Sequence, residues 1–136
     1  MKEKSSVMLT ITNDNGEEST RFTYPADQYI KGANYYYRYL EDGEGMGRTS
    51  TLLKVCPDEI RIIRQGDIES EQTFAVGEMR NGYYRTPQGT LQMTTRTSRV
   101  FVDLTEGLGS VEWAYELQLA GEPAGDYRLR IEIAPA

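Results

Sequence analysis

In Val111-Glu-Trp-Ala-Tyr-Glu-Leu-Gln-Leu119 the large apolar side chains Val111, Trp113, Tyr115, Leu117 and Leu119 alternate with Glu112, Ala114, Glu116 and Gln118. A period of two belongs to a strand with one buried face, because successive side chains leave the backbone on opposite sides. It places Trp113 and Tyr115 in a core. The last segment repeats the pattern, with Tyr127, Leu129, Ile131 and Ile133 on one face and Arg128, Arg130 and Glu132 on the other. Between the two, Ala120-Gly-Glu-Pro-Ala-Gly125 reads as a turn-rich hairpin connection.

Working back toward the N-terminus, the same rule gives strands over residues 7–12, 21–30, 34–41, 49–56, 59–65, 70–76, 82–86, 91–97 and 99–104, with Pro25 weakening the second. Turn signals separate nearly all of them, among them Asn15-Gly16, Pro57-Asp58, Gly66-Asp67, Asn81-Gly82 and Glu106-Gly107. No window shows a sustained helical period. About ten short strands joined mostly by short hairpins predict an all-β chain, folded as a single antiparallel up-and-down β-barrel over residues 1–136. Closure removes the open edges such a meander otherwise exposes. The first six residues, MKEKSS, are expected to be frayed.

Composition narrows the function classes. A formal charge of -6 and a pI near 4.7 leave no basic surplus for phosphate backbones, so nucleic acid is not an expected partner. Histidine is absent, which removes His-ligated zinc and His-activated nucleophiles. The only cysteine, Cys56, cannot form an internal disulfide and reads as an inert small side chain at a strand end. No signal peptide or membrane span is evident, and the expectation is a soluble cytoplasmic protein. The glycines at 43, 45 and 47 lack the Lys-Ser/Thr ending of a phosphate-binding loop and read as a hairpin loop. Acidic pairs such as Glu41-Asp42 and Glu17-Glu18 read as solvated charge, so neither metal nor cofactor is expected.

Polar residues that share parity with apolar ones are the candidates for an interior site. Arg64 lies on the face of Ile60 and Ile62, Ser70 and Gln72 on the face of Phe74 and Val76, and Tyr84 shares its face with Thr86. In Asn34-Tyr-Tyr-Tyr-Arg-Tyr-Leu-Glu41, Tyr35, Tyr37, Tyr39 and Glu41 share one parity and Tyr36, Arg38 and Leu40 the other. Both faces are partly apolar, so alternation leaves the direction open. If the first set faces in, Glu41 can pair with Arg64, which needs a carboxylate if it is buried.

Taken in order, Tyr39-x-Glu41, Gly47-x-Thr49-x-Thr51, Ile62-x-Arg64-x-Gly66, Ser70, Phe74, Tyr84-x-Thr86-Pro87-x-Gly89 and Thr97 resemble the YwiB-like domain-of-unknown-function family of small bacterial proteins. The resemblance runs from about Ile30 to Ile133 and implies a lipocalin-like, calycin-type barrel without implying an activity. Parity and resemblance together single out Arg64, Tyr84, Thr86, Glu41 and Tyr39 as ligand-binding candidates; no catalytic residue is assigned. Three readings stay open: a barrel binding a small amphipathic anionic ligand, a filled barrel with a structural or interaction role, and a histidine-free barrel enzyme acting on aromatic acids.

Overall fold

The computed structural model describes residues 4–42 and 46–136. Ten strands follow one another: β1 (Lys4–Asp14), β2 (Ser19–Lys31), β3 (Asn34–Glu41), β4 (Thr49–Val55), β5 (Glu59–Gly66), β6 (Glu69–Ala75), β7 (Met79–Thr86), β8 (Gly89–Thr105), β9 (Leu108–Leu119) and β10 (Glu122–Pro135). Each pairs antiparallel with the next, and β1 pairs with β10 to close the barrel. The hairpin turns use the residues their geometry demands. Glu106-Gly107 and Ala120-Gly121 have positive φ at both positions (54° and 79°, 51° and 82°), the requirement of a tight two-residue turn that follows strand twist.

Several strand limits differ from the sequence reading. Residues 91–97 and 99–104 form one strand, β8, with a bulge at Ser98 between Thr97 and Arg99. The extra residue flips the side-chain parity: Met93, Thr95 and Thr97 face inward before it, and Val100, Val102 and Leu104 after it. A second bulge lies between Pro123 and Gly125, so β10 begins at Glu122 and the expected loop of residues 120–125 shrinks to two residues. Pro25 sits on a stretch of β2 paired with β1 alone, an edge-like setting that tolerates a missing N–H. The expected fraying of residues 1–6 is corrected for Lys4, Ser5 and Ser6, which pair with Tyr29, Gln28 and Asp27. Val76, expected inside, is 53% exposed, because β6 ends at Ala75 and the chain turns at Gly77. The hairpin loop expected at glycines 43, 45 and 47 lies partly outside the described residues.

The two ends of the barrel are built differently. At the lower end, which carries the β2–β3, β4–β5, β6–β7 and β8–β9 turns, the interior is filled. Phe74 packs against Trp113 and Tyr115 with ring centroids 5.3 and 4.6 Å apart. The β8–β9 hairpin folds onto this end: the Tyr37 hydroxyl donates to the Gly107 carbonyl at 2.7 Å, and the Gln28 amide to the Glu106 carbonyl at 3.3 Å. A Cβ on Gly107 would stand 2.2 Å from the Gln28 amide oxygen, which would have to shift, and the positive φ of 79° also favours glycine there.

Strand β6 adds to the filling. It pairs with β7 only from Glu69 to Glu71, and at Gly82, where a Cβ would lie 2.0 Å from the Glu71 carbonyl oxygen, the two strands part. Beyond that point Thr95 donates to the Thr73 carbonyl at 2.7 Å, and Gln72 to Ala75 are buried on both faces.

Candidate functional site

The upper end carries the polar residues. Tyr37, Tyr39 and Glu41 on β3 are buried and Tyr35 packs on the core, whereas Arg38 and Leu40 are exposed, which settles the direction of that strand face. Around the wall, strand pairing brings Tyr39, Thr51, Arg64, Ser70 and Tyr84 into one lateral row across β3 to β7. Glu41 stands one inward position above Tyr39. A polar row results because each of these positions inherits the inward parity of apolar neighbours such as Leu53, Ile62 and Phe74.

Arg64 and Glu41 form an ion pair, with Arg64 Nε 3.0 Å from Glu41 Oε1 and both side chains mostly shielded, 18% and 11% exposed. The same carboxylate oxygen accepts a short hydrogen bond from the Thr51 hydroxyl. Arg64 Nη1 donates to the Ser70 hydroxyl at 3.4 Å. Burial alone disfavours the charged guanidinium. Glu41, Tyr39 and Tyr84 outweigh it and raise the Arg64 pKa, so the cation is held firmly. The Tyr39 phenol is pushed up by burial first and by the Glu41 charge second, and it stays protonated. Tyr24 is raised in the same way, by burial and then by Glu41.

The pair forms part of the wall of a cavity of about 460 Å³. Ile11, Ile62, Leu129 and Ile131 give it an apolar side, and Phe22 and Tyr24 an aromatic one. The Tyr24 ring lies 5.0 Å from that of Tyr39, which also lines the chamber. Asn13 and Thr20 lie beside each other on β1 and β2, and Met46 closes in from the β3–β4 connection. The wall is split beside Tyr39, since the β2–β3 ladder stops at Asp27–Arg38 and the strands diverge above it. An outer groove with Pro25, Leu40 and Ser50 meets the split there, and Tyr39 borders both spaces.

Among the described residues, Arg64 Nη2, Glu41 Oε2 and the Tyr24 and Tyr39 hydroxyls have no hydrogen-bond partner, and all four side chains line the cavity. The chamber therefore offers donors and an acceptor side by side.

Of the five sequence candidates, Arg64, Glu41 and Tyr39 are brought together in this wall. Tyr84 stands behind Arg64, opposite Ser70, and lines a separate groove with Thr86. Thr86 lies at the rim, where its hydroxyl bonds to Gln88 in the β7–β8 turn, away from the cavity. Sequence reasoning passed over Tyr24 and Phe22, because Pro25 weakened their strand. Their parity with the buried Ala26 and Gln28 was the available signal.

Comparison with known proteins agrees with this architecture. The chain is 27% identical over 126 residues to an uncharacterized beta-barrel protein, YwiB, of Bacillus subtilis (strain 168), covering 90% of this chain and 88% of that one. The crystal structure of the ywiB protein from Bacillus subtilis superposes with a TM-score of 0.81 over 99% of this chain and 95% of its own, at 21% identity, which establishes the shared fold. The family model of the domain of unknown function DUF1934 matches residues 6–131, and the chain belongs to that family.

Proposed function

We propose that the barrel binds a small amphipathic ligand in its upper chamber, with the ligand's anionic group on Arg64 and its apolar body against Ile11, Ile62, Leu129 and Ile131. The observation that carries this reading is the free space beside the buried guanidinium, about 460 Å³. Small-molecule pockets typically span about 300–1,000 Å³, are mostly apolar and hold a few aimed polar groups. Arg64 has its Nη2 unspent and its charge locked on, and guanidinium is well matched to carboxylate.

Calorimetric titration with a panel of aromatic and aliphatic carboxylates, amino acids included, tests the reading. Binding that is lost in a folded Arg64→Met variant supports it. Absence of binding across the panel, with Arg64→Met indistinguishable from the native protein, overturns it in favour of a barrel whose Glu41–Arg64 pair serves only itself. That second reading draws on the Thr51 and Ser70 bonds, which already satisfy much of the pair.

A further inference from the structure

The chamber's charge is balanced, and this restricts the head group it accepts. Glu41 is 9% exposed and stands 3.0 Å from Arg64. A lone carboxylate placed on Arg64 Nη2 also comes close to the Glu41 carboxylate, in a site too sheltered for water to screen the repulsion well. A lone ammonium placed on Glu41 Oε2 meets Arg64 in the same way. A head that carries both groups a bond or two apart meets each with its opposite, and it leaves the site's net charge at zero.

Resting on the ligand-binding reading above, we infer that the ligand is zwitterionic, an amino acid or a close relative with an apolar side chain, whose carboxylate takes Arg64 Nη2 and whose ammonium takes Glu41 Oε2. Three observations converge on this. The ion pair runs through Nε and Oε1, so among the described residues one donor nitrogen and one acceptor oxygen have no partner, on side chains that line the same wall. Thr51 and Ser70 anchor the opposite sides of the pair, which fixes its orientation before a ligand arrives and lowers the ordering cost of binding. Apart from Asn13 and Thr20 the rest of the chamber is apolar or aromatic, and Tyr24 and Tyr39 place neutral hydroxyls next to the charged groups. An apolar side chain therefore has a surface to cover, and the volume is ample for an aromatic one.

The test compares three probes of one shape on the native protein by calorimetry: phenylalanine, phenylpropanoate, which lacks the amine, and phenethylamine, which lacks the carboxylate. The expected result is phenylalanine binding at least about tenfold more tightly than either, the minimum for one added charge-assisted hydrogen bond. Glu41→Gln, which keeps an acceptor for Thr51 and Arg64, should bring phenylalanine down to the level of phenylpropanoate and leave phenylpropanoate as tight or tighter. If phenylpropanoate matches phenylalanine on the native protein, the zwitterion is wrong and the anion-binding reading stands. If none of the three binds while other carboxylates do, the zwitterion is again wrong. If nothing binds at all, both readings fall.

Discussion

The lower and upper ends of this barrel are made from the same alternating strands, yet one is packed solid and the other is hollow. At the lower end the inward positions carry Trp113, Phe74 and Tyr37, and a hairpin and an inturned strand segment press in between them. At the upper end the inward positions carry Thr49, Thr51, Ser70, Glu41 and Arg64, which are small or must keep their polar atoms apart in fixed bonds. Alternation sets what faces the lumen. Side-chain size and polar pairing set whether the lumen is filled.

The largest expected effect lies at the filled end. Trp113 is fully buried, and Trp113→Ala should destabilise the fold by about 3–5 kcal/mol in denaturant titration. Its indole N–H has no acceptor among the described residues, so Trp113→Phe removes volume without breaking a hydrogen bond and should cost clearly less. A loss near zero for the alanine variant would contradict the packed lower core.

At the hollow end, Arg64→Met leaves the Glu41 carboxylate without its partner. The expected loss is about 1–3 kcal/mol, that of a polar group left unsatisfied, because the cavity offers some hydration. That is below the roughly 3–5 kcal/mol seen when a fully enclosed pair is broken. A double-mutant cycle with Glu41→Gln checks the coupling, and effects additive within about 0.3–0.5 kcal/mol would show that the pair contributes nothing.

Alkaline titration probes both ends together. Burial raises the pKa of Tyr37, Tyr39 and Tyr115 above the ordinary 10.0. The folded chain therefore keeps these protons where the unfolded chain has released its own. Their contribution to stability is intact below pH 10.0 and declines as the pH rises past it. Tyrosinate absorbance from these three should appear only with unfolding, after the exposed phenols have titrated. A smaller effect belongs to Gly107→Ala, where a positive φ of 79° and the Gln28 contact oppose a side chain. The backbone conformation alone costs about 1–2 kcal/mol, read as a lowered denaturation midpoint.

Much of this was legible in the sequence, and the parts that were not share a cause. Period-two patterning locates nearly every strand and the inward direction of Arg64, because both depend on neighbours a few residues away. The break expected near Ser98 is a bulge inside one long strand: a single extra residue reverses parity, and a period-two reading can only interpret that as an ending. Parity gives a face but not a height. Thr86 has the right face and sits at the rim, whereas Arg64 sits where the lumen is open. Tyr24 meets Tyr39 and Glu41 through the splaying of β2 from β3, a relation between strands that neither segment encodes alone.

The smallest expected effect separates the two ends most directly. Ile11 borders the cavity, whereas Val111 is fully enclosed, and both are aliphatic residues on inward strand positions. Replacing each with phenylalanine adds bulk, one methylene more at Val111 than at Ile11. At Val111, fully enclosed beside Trp113 and outside the cavity lining, the ring meets a packed core, and overpacking of that kind typically costs about 1–3 kcal/mol. At Ile11 the ring can extend into open space beside Phe22 and Tyr24, gaining apolar contact as it strains the wall. The net change in denaturant titration should stay within about 0.5 kcal/mol. The same variant should bind the phenylalanine probe more weakly, since it occupies the volume that the probe's side chain needs. Equal destabilisation at both positions would mean that the upper chamber closes up in solution, and the contrast between a filled end and a hollow end would then be lost.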